Sequence, residues 1–201
     1  MYMTVYKCDK ASAAKTAHPL DLSDGNAVHR WISGRLGRSR QEGKILFCVQ
    51  KEYQAMYLYV QSDVPMQEAE NRGMVFVRQF PVEDSLRDAG DGDTIVFDVL
   101  VSPQHEVNNR RVYIADPGKR DAWIRRKLEE GGLRCADLSE ESRENIRFVK
   151  DGRNIRIPCS RYTGFGVITD KAKLLSLLAD GLGKNKCYGA GLMFAMPATA
   201  Y

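Results

Sequence analysis

Two stretches of this chain carry the same order of strand and helix signals, and that repeat constrains the fold more than any other feature. In the first stretch, strands are predicted at residues 2–8, 45–50, 53–61 and 75–80, with a helix at 26–36 and a weaker one at 66–71. The order is β-α-β-β-α-β. After the turn-rich Asp88-Ala89-Gly90-Asp91-Gly92-Asp93 comes a second set: strand 94–101, helix 119–130, a hairpin near 146–157, strand 165–169, helix 171–180 and strand 192–196. Strands and helices do not alternate strictly, which argues against one doubly wound sheet. Two tandem ferredoxin-like halves account for the pattern, so the expected class is α+β with an N-terminal domain over 1–88 and a C-terminal domain over 94–201.

The size agrees with two small domains or one large one, since 201 residues exceed a typical single domain of about 100–150. Five cysteines, none closer than 24 residues to the next, suggest neither a zinc ribbon nor a disulfide framework, and a reducing compartment is the natural reading. No apolar run approaches the roughly 20 residues that span a bilayer, and the N-terminus has no basic-then-apolar signal pattern. A soluble, unprocessed cytoplasmic protein is expected. The net charge of +4 is unevenly placed, because residues 110–161 hold 14 Lys and Arg against 9 Asp and Glu. Such a local excess suits a phosphate-binding surface, although it is also what a merely solvated basic face looks like.

Between the last predicted helix and the last strand, Gly181, Gly183, Gly189 and Gly191 accompany Lys184 and Lys186. Glycines let a backbone approach a phosphodiester closely, and lysines add compact positive charge. Four glycines in eleven residues with two lysines exceed what a helix-to-strand turn requires, so a polyanion is the expected ligand. Nucleotide fingerprints fail in detail: the third glycine of G-x-G-x-x-G would fall at Lys186, the loop follows a helix rather than a strand, and no G-x-x-x-x-G-K-[ST] exists.

Three further elements bear on a ligand site, although a lone histidine is more often structural or simply exposed. In the first helix, which Ser23 or Asp24 can cap, Ala27, Val28, Trp31, Ile32 and Leu36 form a buried stripe ending at Gly37. His29 lies on the flank of that stripe with Asn26 and Ser33, where packing can hold a side chain that still reaches a ligand. The hairpin has Asp151-Gly152 as a two-residue loop, which pairs Lys150 with Arg153 and sets Arg147 across from Arg156. Like charges facing each other destabilise an isolated sheet, and either a bound anion or splaying into water relieves them. The helix after Asp116-Pro117 is expected to bury Ala122, Trp123, Ile124 and Leu128 and to expose Arg125 and Arg126. Lys119 and Arg120 in its first turn oppose the helix dipole and so favour a phosphate role. Gly164-Phe165-Gly166-Val167-Ile168 lacks the leading basic residue and second aromatic of an RNA-stacking strand and reads as structural. Asp88, Asp91 and Asp93 read as a turn, His18 and His105 are too isolated to form a ligand set, and no metal or other cofactor is expected.

The glycine-rich segment, the strand Tyr2-Met3-Thr4-Val5-Tyr6, Val28-His29-Arg30-Trp31, Lys44 to Val49 and Pro117 to Gly132 together resemble the repeat-associated CRISPR proteins, and specifically the CasE type of CRISPR RNA-processing endoribonuclease. The likeness covers nearly the whole chain and is weakest over 9–25 and 62–92. It implies a fold shared with RNA-recognition motifs and a prokaryotic role in antiviral defence. It further implies metal-independent cutting of precursor CRISPR RNA at the 3′ base of the repeat stem-loop. A ribose 2′-hydroxyl would attack the adjacent phosphate, leaving a cyclic 2′,3′-phosphate and a 5′-hydroxyl, and the protein would stay on the product within a CRISPR surveillance complex, or Cascade. His29 would be the acid or base. Arg30, Arg110, Arg111, Lys119, Arg120, Arg147, Lys150, Arg153, Arg156, Lys184 and Lys186 would bind RNA. Two departures stand out. Some members have a tyrosine three residues before the histidine where this chain has Asn26, and an arginine before the Pro103 position where it has Ser102. A non-catalytic stem-loop-binding subunit is therefore the alternative.

Overall fold

Strand β1 (Tyr2–Asp9) is buried along most of its length because it runs through the middle of a sheet. It pairs antiparallel with β3 (Ala55–Ser62) on one side and β4 (Val75–Pro81) on the other, and β2 (Leu46–Lys51) completes the order β2-β3-β1-β4. After the single-turn α1 (Lys10–Ala13), helix α2 (Gly25–Leu36) lays Val28, Trp31 and Ile32 on a core with Tyr6, Ile45, Phe47, Leu58 and Val60. Asp24 caps α2 by accepting from the Asn26 and Ala27 amides, and Gly37 ends it in the left-handed region at φ 62°. The computed structural model describes residues 1–66 and 72–198, so the weaker helix expected at 66–71 lies, beyond Met66, outside the described residues.

The same arrangement recurs in a second sheet. β5 (Thr94–Val101) is central, between β10 (Met193–Pro197) and β9 (Arg153–Ile168), with β8 (Leu133–Lys150) outside β9, giving β10-β5-β9-β8. Helices α3 (Pro117–Glu130) and α4 (Lys171–Asp180) bury Ile124, Leu128, Leu174 and Leu178 against Ile95, Phe97, Val99 and Tyr162. Both sheets have the ferredoxin-like order, as the repeated signals predict.

The chain forms two compact units: residues 1–84, 146–156 and 187–189 make one, and 85–145, 157–186 and the chain from 190 onward make the other. The hairpin tip and the Cys187–Gly189 segment thus belong with the first unit, whereas a division near 88–93 assigns both to the C-terminal half. Three local expectations also change. The hairpin extends far beyond 146–157, since β8 begins at Leu133 and β9 runs unbroken to Ile168. A ribbon of β6 (Gln104–Val107) and β7 (Arg110–Tyr113) turns through Asn108 and Asn109, both at positive φ. Along α3, Ala122 is exposed and the buried residues are Arg120, Ile124 and Leu128. Among the described residues no helix is long and apolar enough to cross a membrane, and all five cysteines are free.

Candidate active site

The helical period that buries Val28 and Ile32 leaves His29 half-buried on the flank of α2, in the first unit. Its Nδ1 lies 3.4 Å from the Ser33 hydroxyl one turn on, which leaves Nε2 as the nitrogen available to a substrate. Burial, and then the positive charge of Arg40, hold the imidazole below the ordinary histidine pKa of about 6.5. Neutral imidazole is the resting form at pH 7. Arg40 lies in the segment leading to β2 and carries no helical or strand periodicity, so nothing in the sequence singles it out.

The basic hairpin tip shares this unit. Asp151 and Gly152 both have positive φ, 50° and 71°, as the two-residue turn requires. Phe148 is buried and Ile146 and Ile155 are partly buried, while Arg147, Lys150, Arg153 and Arg156 are exposed. The predicted division into an apolar and a cationic face is therefore present. The tip is fastened to the start of α2. Asp24 forms a parallel backbone bridge with Arg147, and the Asn26 side-chain amide donates to the Val149 carbonyl at 3.0 Å. Between them, Phe148 stacks on Tyr188 with ring centroids 3.9 Å apart and planes 9° off parallel. Gly25 permits this junction, since a Cβ there would come within 2.5 Å of the Tyr188 carbonyl oxygen. Burial pushes the thiol of neighbouring Cys187 up, against the downward pull of a backbone hydrogen bond and of the Arg40 and Lys150 charges. His29, Arg30, Arg147, Lys150, Arg153 and Arg156 thus belong to one unit, with Arg40 and Tyr188 as members that sequence reasoning missed.

The remaining cations lie in the second unit, and there the structure corrects Arg120. It is 1 % exposed, donates from Nε and Nη2 to the two carboxylate oxygens of Glu140 at 3.0 and 2.8 Å, and donates from Nη1 to the carbonyls of Ile114 and Ala115. All of its reach is spent inside the protein. Burial pushes the Glu140 carboxyl up, but hydrogen bonds from Arg120 and Ser160 outweigh this and its pKa is lowered overall. Lys119 is exposed, as are Arg110 and Arg111 on β7, where Arg111 faces Glu106 across the ribbon. Lys184 is exposed, whereas the Lys186 ammonium donates to the Asp180 carbonyl at the end of α4 at 2.7 Å. The four loop glycines all have positive φ, and a Cβ at Gly191 would lie 2.5 Å from the Leu182 carbonyl oxygen. Chain geometry alone therefore requires glycine at that point, a reason for it that spacing does not reveal. Asp91 accepts from the Lys171 amide and Asp93 from the Gly90 amide, so these carboxylates serve a helix start and a turn. Among the described residues no group of three or more His, Cys, Asp or Glu is placed to hold a metal ion.

Two ferredoxin-like sheets, a half-buried histidine and an exposed cationic hairpin in the same unit define a protein of the RNA-recognition-motif-like class. The profile of the CRISPR associated protein family matches residues 1–197, and the chain belongs to that family. The CasE-type likeness read from the sequence holds as well. The CRISPR-associated endoribonuclease Cse3 of Thermus thermophilus is 23% identical over 216 residues, covering 98% of this chain and all of that protein. A structure of Cse3 bound to a 19-nucleotide RNA superposes with a TM-score of 0.83 at 20% identity, over 98% of this chain and all of the other. A chain from a CRISPR RNA-guided surveillance complex, in a pre-nicking state, does so with a TM-score of 0.74 at 21% identity over the same shares.

Proposed function

We propose that this protein is a CRISPR RNA-processing endoribonuclease that binds the repeat stem-loop, cuts at its 3′ base without metal, and remains on the product as a subunit of a surveillance complex. The observation that carries the reading is the half-buried His29 in the same unit as the exposed cations of the hairpin tip. Further support comes from the RNA-bound state of the Cse3 structure and the assembly that contains the other match.

The chemistry follows from the imidazole. Neutral at rest, His29 takes the 2′-hydroxyl proton on Nε2 as the 2′-oxygen attacks the adjacent phosphorus. The bond from phosphorus to the 5′-oxygen breaks, and that oxygen leaves with a proton from water or a second acid. A cyclic 2′,3′-phosphate and a 5′-hydroxyl result. Negative charge grows on the phosphoryl oxygens during this step, and Arg40, Arg30 and Lys150 are the cations of the first unit assigned to stabilise it. Arg147, Arg153 and Arg156 hold the stem by its phosphates, which suits a duplex recognised by shape and backbone. Exposed Lys119, Arg110, Arg111 and Lys184 supply further backbone contacts.

The test is incubation of the end-labelled repeat stem-loop from the protein's own locus in excess EDTA, comparing wild type with His29→Ala. One cut ending in a cyclic phosphate, lost in the variant while RNA binding is retained, is the expected result. Binding by both without a cut would replace the ribonuclease with an RNA-holding subunit.

A further inference from the structure

We infer that Asn26 is a positioning residue: its side-chain amide fastens the cationic hairpin to the helix that carries His29, so that the hairpin cations and the imidazole address the same phosphate. The inference rests on the ribonuclease reading above and goes beyond it in assigning Asn26 a role in alignment rather than in proton transfer.

Asp24 and Asn26 meet Arg147 and Val149, so two residues of advance at the start of α2 match two residues of advance along β8. The alternate residues, Gly25 and Phe148, both turn to Tyr188. Three segments distant in the chain are thereby locked side by side, and the Asn26 bond is the outermost tie, one peptide before Lys150 and the turn. Asn26 and His29 are three residues apart on one helix, hence about one turn and 5–6 Å between Cβ atoms. The carbonyl that Asn26 grips and the imidazole accordingly lie on one side of α2. One N–H of the amide is engaged with Val149, and an amide exchanges no proton near neutral pH. Its contribution is therefore to alignment and not to proton transfer. Displacing a catalytic cation by about 1 Å costs on the order of a hundredfold in rate, so one exposed hydrogen bond has a large kinetic effect and little effect on folding.

Asn26→Leu keeps the shape and removes the donor; Asn26→Gln keeps an amide; Asn26→Tyr introduces a phenol. Single-turnover cleavage of the repeat stem-loop should fall at least roughly tenfold in Asn26→Leu, with the His29 pH midpoint unmoved and RNA affinity within about threefold. Asn26→Gln should recover part of the loss, and Asn26→Tyr should not exceed wild type. A wild-type rate in Asn26→Leu overturns the inference, and so does faster cleavage by Asn26→Tyr, which would assign the position to proton transfer. Hydrogen–deuterium exchange of the hairpin peptides supplies a second readout that needs no cleavage. Residues 146–156 should exchange faster in Asn26→Leu, and unchanged exchange contradicts the tie. If wild type itself does not cut the RNA, the ribonuclease reading fails, and the exchange result alone decides whether Asn26 fastens the hairpin.

Discussion

Replacing Arg120 by methionine separates a structural role from an RNA-binding one. The guanidinium is 1 % exposed and makes a two-pronged pair with Glu140, whose side chain keeps 23% of its surface in water. Removing one member of a buried ion pair costs about 3–5 kcal/mol, because the other charge is left without compensation. The partial exposure of Glu140 and its remaining bond from Ser160 put the loss near the lower end, about 3 kcal/mol. With a urea slope of about 2 kcal/mol/M, the unfolding midpoint should fall by about 1.5 M. Urea unfolding followed by tryptophan fluorescence, to which Trp123 on the core of the second unit contributes, measures this. Arg120→Met with Glu140→Met should be more stable than Arg120→Met alone, since no orphaned carboxylate remains. In folded Arg120→Met, the slope of log affinity for stem-loop RNA against log salt should match wild type. An unshifted urea midpoint together with a salt slope reduced by about one would refute this reasoning and restore Arg120 to the RNA surface.

Other outcomes follow from the same structure. Gly191→Ala forces a methyl group against the Leu182 carbonyl at φ 86° and should destabilise the second unit by about 2–4 kcal/mol, read as a lowered melting temperature. Lys184→Ala should leave stability unchanged and lower the salt slope of RNA binding by about 0.7–0.9 if Lys184 meets a phosphate. Because the Glu140 carboxyl lies below its ordinary value, the stability it contributes is present above about pH 4.3 and lost as pH falls through its folded pKa. Urea midpoints collected from pH 6 downward should show that loss in wild type and a smaller one in Arg120→Met.

The double fold is legible in the sequence because its central strands and core helices carry plain signals: apart from Thr4, β1, β5 and α2 bury apolar residues or glycine, and α2 stops at Gly37. The middle of β8 is not legible, because Ser139-Glu140-Glu141-Ser142-Arg143-Glu144-Asn145 is polar and largely exposed and becomes a strand only by pairing with β9. The four-residue strands β6 and β7 are too short for an alternation to register. Arg120 is misread for the same reason as β8, since its partner Glu140 sits 20 residues away on that unrecognised strand. In the candidate site, His29 is legible from helix periodicity and the hairpin cations from the Asp-Gly turn. The tie from Asn26 to Val149 joins residues 123 apart and leaves no local trace. Gly25 and Tyr188 likewise look unremarkable until the three segments meet.

Proton abstraction by the neutral imidazole of His29 has a signature in pH. The most direct measurement is the pH dependence of stem-loop cleavage in EDTA at sub-saturating protein, where the profile reports the free protein's groups. The wild-type rate should rise with pH through a midpoint below about 6.5, the side on which burial and Arg40 place His29, and His29→Ala should show a slow, flat profile. Unaltered cleavage by His29→Ala, or a wild type that cuts only when a divalent metal is restored, would contradict proton abstraction by His29.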